Sequence, residues 1–102
     1  MQPQSHKLYI LVDKKLSPSQ RAVQACHAGI EFAKKFPEWK HESIVLLGVD
    51  NEMELIDKAA EFVFTGLPYA TFIESYWDNR ITAVAVHGAD EMLKGLALLS
   101  MM

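Results

Sequence analysis

The chain has one cysteine, Cys26, among 102 residues. An intrachain disulfide is therefore excluded, and a reducing, cytoplasmic setting is the expectation. No apolar run reaches the roughly 20 residues that a membrane-spanning helix requires, so no membrane partner is expected. Residues 1–6 are short and polar and resemble neither a signal peptide nor a transit peptide. They are expected to form a tail ahead of a single domain, 7–102. The five glycines are scattered and build no phosphate-cradling loop. His6, His27, His41 and His87 lack the i, i+4 spacing of a metal-binding helix face, so neither a metal nor another cofactor is expected. No serine occupies a nucleophile elbow. There is no internal repeat and no low-complexity segment. The net charge of −3 disfavours broad, non-specific nucleic-acid binding, which needs a basic surface.

What the chain does contain is ample apolar character: 50% of its residues are hydrophobic, enough for one domain with a core of its own. Lys7 to Val12 is a near-continuous apolar, β-rich run, as in a central strand buried on both faces. Asp13 to Leu16 reads as a loop. A helix follows from Pro18 to about Phe36, stopped by Pro37. Glu38 to Glu42 is a surface connection carrying Trp39. Ser43 to Val49 is a second buried strand. Asn51 and Glu54 have capping-box spacing and open a second helix, expected to bury Ile56, Ala59, Ala60 and Val63. Its outside is acidic, with Glu52, Glu54, Asp57 and Glu61 relieved only by Lys58. Gly66 is the expected C′ residue, followed by Pro68.

Tyr69 to Ile73 is a third strand, Glu74 to Arg80 a polar loop, and Ile81 to Val86 a fourth strand. Ala89 to Leu99 reads as a short terminal helix with Met92, Leu93 and Leu96 turned inward. The order β-α-β-α-β-β-α makes the strands joined by helices parallel in sense. The last two strands, joined by a short loop, pair antiparallel. A mixed four-stranded sheet with helices on its faces is the expected result.

The first helix carries the densest chemistry. Ser17 is a good N-cap, Pro18 fits the first helical position, and Gln20 completes a capping-box spacing. At about 100° per residue, Gln20, Gln24, His27 and Glu31 fall within roughly 60° of one another as a polar stripe. Val23, Cys26, Ile30 and Ala33 form an apolar stripe beside it. Cys26 and His27 point roughly 100° apart and are no nucleophile–base pair, so Cys26 reads as a small core residue. The polar stripe is either a site flanked by small residues or an ordinary solvated face.

In open α/β sheets, ligands bind beyond the carboxyl ends of the parallel strands. Lys14, Lys15, Gln20, Glu74 and Asp78 are expected at that end, with Gln24 and His27 further along the helix stripe. Lys14, Lys15 and Arg21 surround the start of this helix, and Lys34, Lys35 and Lys40 its end. Such lysines are either a local basic patch or plain solvated surface.

Gln24-Ala25-Cys26-His27-Ala28, preceded by Ala22-Val23, resembles the Ala-Ala-Gln-x-x-His-Ala segment of type II peptidyl-tRNA hydrolases, the archaeal and eukaryotic type. Gly66-Leu67-Pro68, followed by a strand and an acidic residue, is similar to that family's Gly-Leu-Pro strand. The likeness runs from about Lys7 to Val86 and is nearest to the divergent branch called peptidyl-tRNA hydrolase domain-containing proteins. It implies a three-layer α/β/α sandwich with a mixed four-stranded sheet in order 2-1-4-3, strand 4 antiparallel. It also implies hydrolysis of the ester between a peptide and the tRNA 3′ end, with peptidyl-tRNA as the partner.

Carried over by motif, the implied catalytic set is Gln20, Gln24, His27, Glu74 and Thr82. Lys14, Lys15, Arg21 and Asp78 are the expected substrate-binding residues. Two departures stand out. Gln20 occupies the position of the family's helix lysine, and Glu74-Ser75-Tyr76-Trp77-Asp78-Asn79 replaces its Asp-Ala-Gly-x-Thr loop. Glutamine brings no charge to an oxyanion or a phosphate, and losing one such stabiliser commonly costs about 10²–10³ in rate. The alternative reading is a catalytically inactive family member that binds tRNA or protein. A third is a homodimer formed through Tyr76, Trp77 and Met101-Met102.

Overall fold

The computed structural model describes residues 7–40, 43–89, 91–93 and 96–98. Its elements are β1 (Leu8–Asp13), α1 (Pro18–Lys35), β2 (Ile44–Val49), α2 (Glu52–Thr65), β3 (Tyr69–Glu74), β4 (Arg80–His87) and β5 (Ala97–Leu98). The sheet order is β3-β4-β1-β2-β5. Its four long strands thus follow 2-1-4-3. β2 is parallel to β1, and β4 is antiparallel to both β1 and β3.

α1 and α2 cover opposite faces of the sheet, and the core divides accordingly. Leu8, Ile10, Val12, Leu46, Ala70, Ala83 and Ala85 meet Ala25, Ala28 and Phe32 of α1. Leu11, Leu47, Val49, Val84 and Val86 meet Leu55 and Phe62 of α2. β1 and β4 are central and therefore apolar at successive positions rather than alternate ones.

Both helices begin as their sequences direct. The Ser17 hydroxyl accepts from the Gln20 backbone N–H at 3.2 Å, and Pro18 follows at the first helical position. The Asn51 side chain accepts from the Glu54 N–H at 2.9 Å, and the Glu54 carboxylate accepts from the Asp50 N–H at 2.8 Å. α2 ends in a Schellman motif. Gly66 takes φ 76°, its N–H reaches the Val63 carbonyl at 3.2 Å, and the Leu67 N–H reaches the Phe62 carbonyl at 3.0 Å. A Cβ at Gly66 would meet nothing within 4 Å. Gly66→Ala is therefore a purely conformational change, expected to destabilise the fold by about 1 kcal/mol through its left-handed φ. A urea midpoint equal to that of the unaltered chain would contradict this.

Three expectations are corrected. The run from Ala89 to Leu99 contains no α-helix among its described residues: Glu91–Leu93 forms one 3₁₀ turn, and Ala97–Leu98 adds an antiparallel edge strand to β2. Leu93 is nevertheless buried, and Met92 and Leu96 pack against the α2-side core, so the inward apolar positions were correct while the element was not. In α2 the buried residues are Leu55 and Phe62, whereas Ile56, Ala60 and Val63 are exposed and only Ala59 contributes in part. In α1, Cys26, Val23 and Ile30 are exposed; Cys26 and Ile30 flank a surface groove of ≈330 Å³ that Trp39 and Ile44 also line. Residues 1–6 and Met101-Met102, invoked for a tail and a dimer contact, lie outside the described residues.

Candidate functional site

The polar stripe of α1 faces β3 and β4, and its centre is not solvated. Gln24 and Thr82 are each only 1% exposed. The Thr82 hydroxyl meets Gln24 Oε1 at 2.6 Å, and Gln24 Nε2 donates to Glu74 Oε1 at 3.0 Å. The same amide nitrogen lies 3.4 Å from Gln20 Oε1, one helical turn back. An ionised carboxylate only accepts, so Glu74 requires the NH₂ side of Gln24, and the amide oxygen is left for the Thr82 hydroxyl to donate to. The second Glu74 oxygen accepts from the Tyr76 backbone N–H at 3.4 Å. Four of the five residues of the implied set are therefore joined in one hydrogen-bonded chain.

A bulge makes this possible. Phe72 pairs with Ala83, but Ile73 pairs with Ile81, so Thr82 is an extra residue in β4. Strict alternation from Val84 would turn Thr82 toward α2. The inserted residue instead puts Thr82 on the α1 side with Ala83, while Ile81 packs on the α2 side. Bulges re-aim side chains in this way beside functional sites. On the partner strand, Ala70 and Phe72 pack on the α1 side, and Glu74 follows two residues later.

His27, the fifth residue, is exposed and lies flat on Phe72, with ring centroids 4.3 Å apart and planes inclined by 9°. Phe72 and Glu74 are two residues apart on one strand face, so the imidazole sits roughly 7 Å along the strand from the carboxylate's position. It borders the hydrogen-bonded chain without forming one of its links.

The four expected substrate-binding residues are placed differently. Lys14 Nζ pairs with Asp50 at 2.9 Å. The hydrogen bond to Asp50 raises the pKa of Lys14, and the one from Lys14 lowers that of Asp50. The pair's small, salt-screened contribution fades as pH falls through the lowered Asp50 pKa or rises through the raised Lys14 pKa. Arg21 Nη1 donates to the Lys14 carbonyl at 3.4 Å, the Lys15 backbone N–H donates to Asp13 at 2.9 Å, and Asp78 is exposed in a left-handed turn at φ 54°. Of the two loop aromatics, Tyr76 is exposed and Trp77 half-buried.

A second cluster at the same end escaped the sequence reading. Asp13, at the carboxyl end of β1, is 2% exposed, and its Oδ2 pairs with Arg80 Nη2 at 2.5 Å. Arg80 Nε lies 4.0 Å from Glu52 Oε1, and Glu52 Oε2 accepts from the Ile81 backbone N–H at 3.0 Å. Because Arg80 pairs across the ladder with Glu74, these acids anchor the end of the hairpin that carries Glu74. The available signal was Asp13 itself, a carboxylate ending an otherwise apolar strand. No group of three or more His, Cys, Asp or Glu residues suited to a metal occurs among the described residues. Nor is any helix there long and apolar enough to cross a membrane.

No protein-family model matches the chain, and no curated protein matches it. Among solved structures, it is similar to a protein of unknown function from Agrobacterium tumefaciens strain C58. The TM-score is 0.73 at 12% identity, covering 92% of this chain and 97% of that one. At that identity the likeness concerns the fold alone.

Proposed function

We propose that the chain is a peptidyl-tRNA hydrolase-like esterase that cleaves the ester between a peptide and the tRNA 3′ end. The Thr82–Gln24–Glu74 chain of hydrogen bonds carries this reading. It joins residues of α1, β3 and β4 whose positions resemble one family's motifs. Ester hydrolysis needs an oriented water, a base and donors where the oxyanion develops. Glu74 is the base that orients the water: Gln24 and the Tyr76 N–H fix its two oxygens and leave lone pairs for a third partner. Thr82 fixes the Gln24 amide, and Gln24 fixes Glu74. His27, on the accessible border, moves a proton or holds the substrate amide. The substrate is met on the α1 side of the β3 edge.

One observation favours a second reading, a binding module for tRNA ends or a protein partner. Gln20 stands where the family keeps a lysine, and here its amide oxygen is spent on Gln24 Nε2. Incubation of concentrated protein with N-blocked aminoacyl-tRNA tests the first reading; intact ester together with absent tRNA binding removes it. Gln20→Lys separates the two. For an intact but under-equipped site, the cation should raise the hydrolysis rate by about 10²-fold. An unchanged rate in a folded variant favours the binding module.

A further inference from the structure

The outer face of α2 carries a second apolar stripe that the described residues leave exposed. Met53, Ile56, Ala60, Val63 and Phe64 are all exposed, Phe64 to 92%. At about 100° per residue they share an arc of roughly 100°. The alternating three- and four-residue steps from Met53 to Val63 are those of a seam between helices. The opposite side of α2 already holds Leu55 and Phe62 in the core. α2 is thus apolar on two sides, and the fold uses one of them. Ala60, in the middle of the stripe, lets another helix approach closely.

One border of this stripe is acidic. Asp57 and Glu61 lie along it, with Glu54 behind them. Lys58, the sole cation of the helix, pairs with Glu61 at 3.8 Å. We propose that this face docks an amphipathic helix of another protein whose apolar stripe is bordered by lysine or arginine. Charge selects that occupant over a second copy of the chain packed antiparallel. In an antiparallel two-fold pair equivalent borders meet, and Asp57 and Glu61 would face the same acids. The same acids disfavour an anionic bilayer. The face lies across the sheet from Gln24, so the proposal stands whether or not the chain is an esterase.

The test uses the full chain and three labelled peptides: an amphipathic helix of leucine and lysine, its leucine–glutamate counterpart, and a scrambled leucine–lysine sequence. Fluorescence anisotropy should show binding of the first and neither of the others. Phe64→Ser should weaken it at least about ten-fold, since burying one phenylalanine is worth that much. The double variant Asp57→Lys/Glu61→Lys should reverse the preference toward the glutamate peptide. Both variants alter exposed positions, and circular dichroism checks that they fold. The proposal is overturned by absent binding, by equal binding of the scrambled peptide, or by affinity indifferent to both variants. A dimer in light scattering that Phe64→Ser abolishes would assign the face to a second copy instead. Vesicle binding lost in the same variant would assign it to a membrane.

Discussion

Arg80→Ala is expected to lower the unfolding free energy by about 3 kcal/mol, at the lower end of what breaking a buried ion pair costs. The asymmetry of burial sets that figure. The Asp13 side chain is 3% exposed and that of Arg80 38%, so removing the guanidinium strands a carboxylate that water hardly reaches. The Lys15 N–H remains on one Asp13 oxygen, which keeps the loss from being larger. Asp13→Asn in the same chain removes the stranded charge and should restore part of the loss, because a neutral amide is cheaper to bury. Urea unfolding of the four members of this cycle measures it. A single variant as stable as the parent, or a double variant less stable than both singles, would show that the pair does not hold this corner. Arg80 pairs with Glu74 across the ladder, so under the proposed esterase reading the single variant should also lose hydrolysis beyond its unfolded fraction.

That corner also marks where the sequence stopped being informative. The two central strands and the caps at Ser17, Asn51 and Gly66 follow from local rules, because apolar runs and capping chemistry are decided within a few residues. The candidate site depended on something less local. Gln24 reads as one of four polar residues on a helix face, and no periodicity tells that it is buried while His27, next along the stripe, is exposed. The difference comes from β3 and β4, which cover the helix at Gln24 with Glu74 and Thr82. Thr82 in turn faces the helix only because β4 holds one residue more than its partner, and a bulge leaves no mark in Arg-Ile-Thr-Ala-Val-Ala.

The error in α2 has a different origin. The helix has two apolar stripes, Leu55 with Phe62 and Met53 through Phe64, and periodicity alone cannot say which one the sheet takes. The sheet takes the side with Phe62, and the continuous stripe is left outside. At the end of the chain, Met92, Leu93 and Leu96 have helical spacing, yet a 3₁₀ turn and a short strand turn the same residues inward. Spacing there reported burial but not conformation.

Glu74→Gln should lower kcat/KM for N-blocked aminoacyl-tRNA by at least about 100-fold, within the range lost when a positioned base is removed. The substitution keeps the shape and an amide oxygen that can still accept from Gln24 Nε2; only the long, exposed bond from the Tyr76 N–H is lost, so the thermal midpoint should move little. What it removes is the charge that, in the proposed esterase, orients and deprotonates water. Thr82→Val makes the contrast. It deletes the donor to Gln24 Oε1 at a site 1% exposed and leaves that oxygen unsatisfied, at a stability cost of about 1–3 kcal/mol. A freed Gln24 no longer fixes Glu74, so this variant should lose both stability and rate, with the remaining activity tracking kcat rather than KM. If Glu74→Gln hydrolyses as fast as the parent chain, Glu74 is not the base, and the hydrogen-bonded chain is a packing device between α1 and the bulge. If the parent itself does not hydrolyse but binds tRNA ends, the same variant separates the roles. Removing a carboxylate beside a phosphate-rich ligand should then tighten binding rather than weaken it.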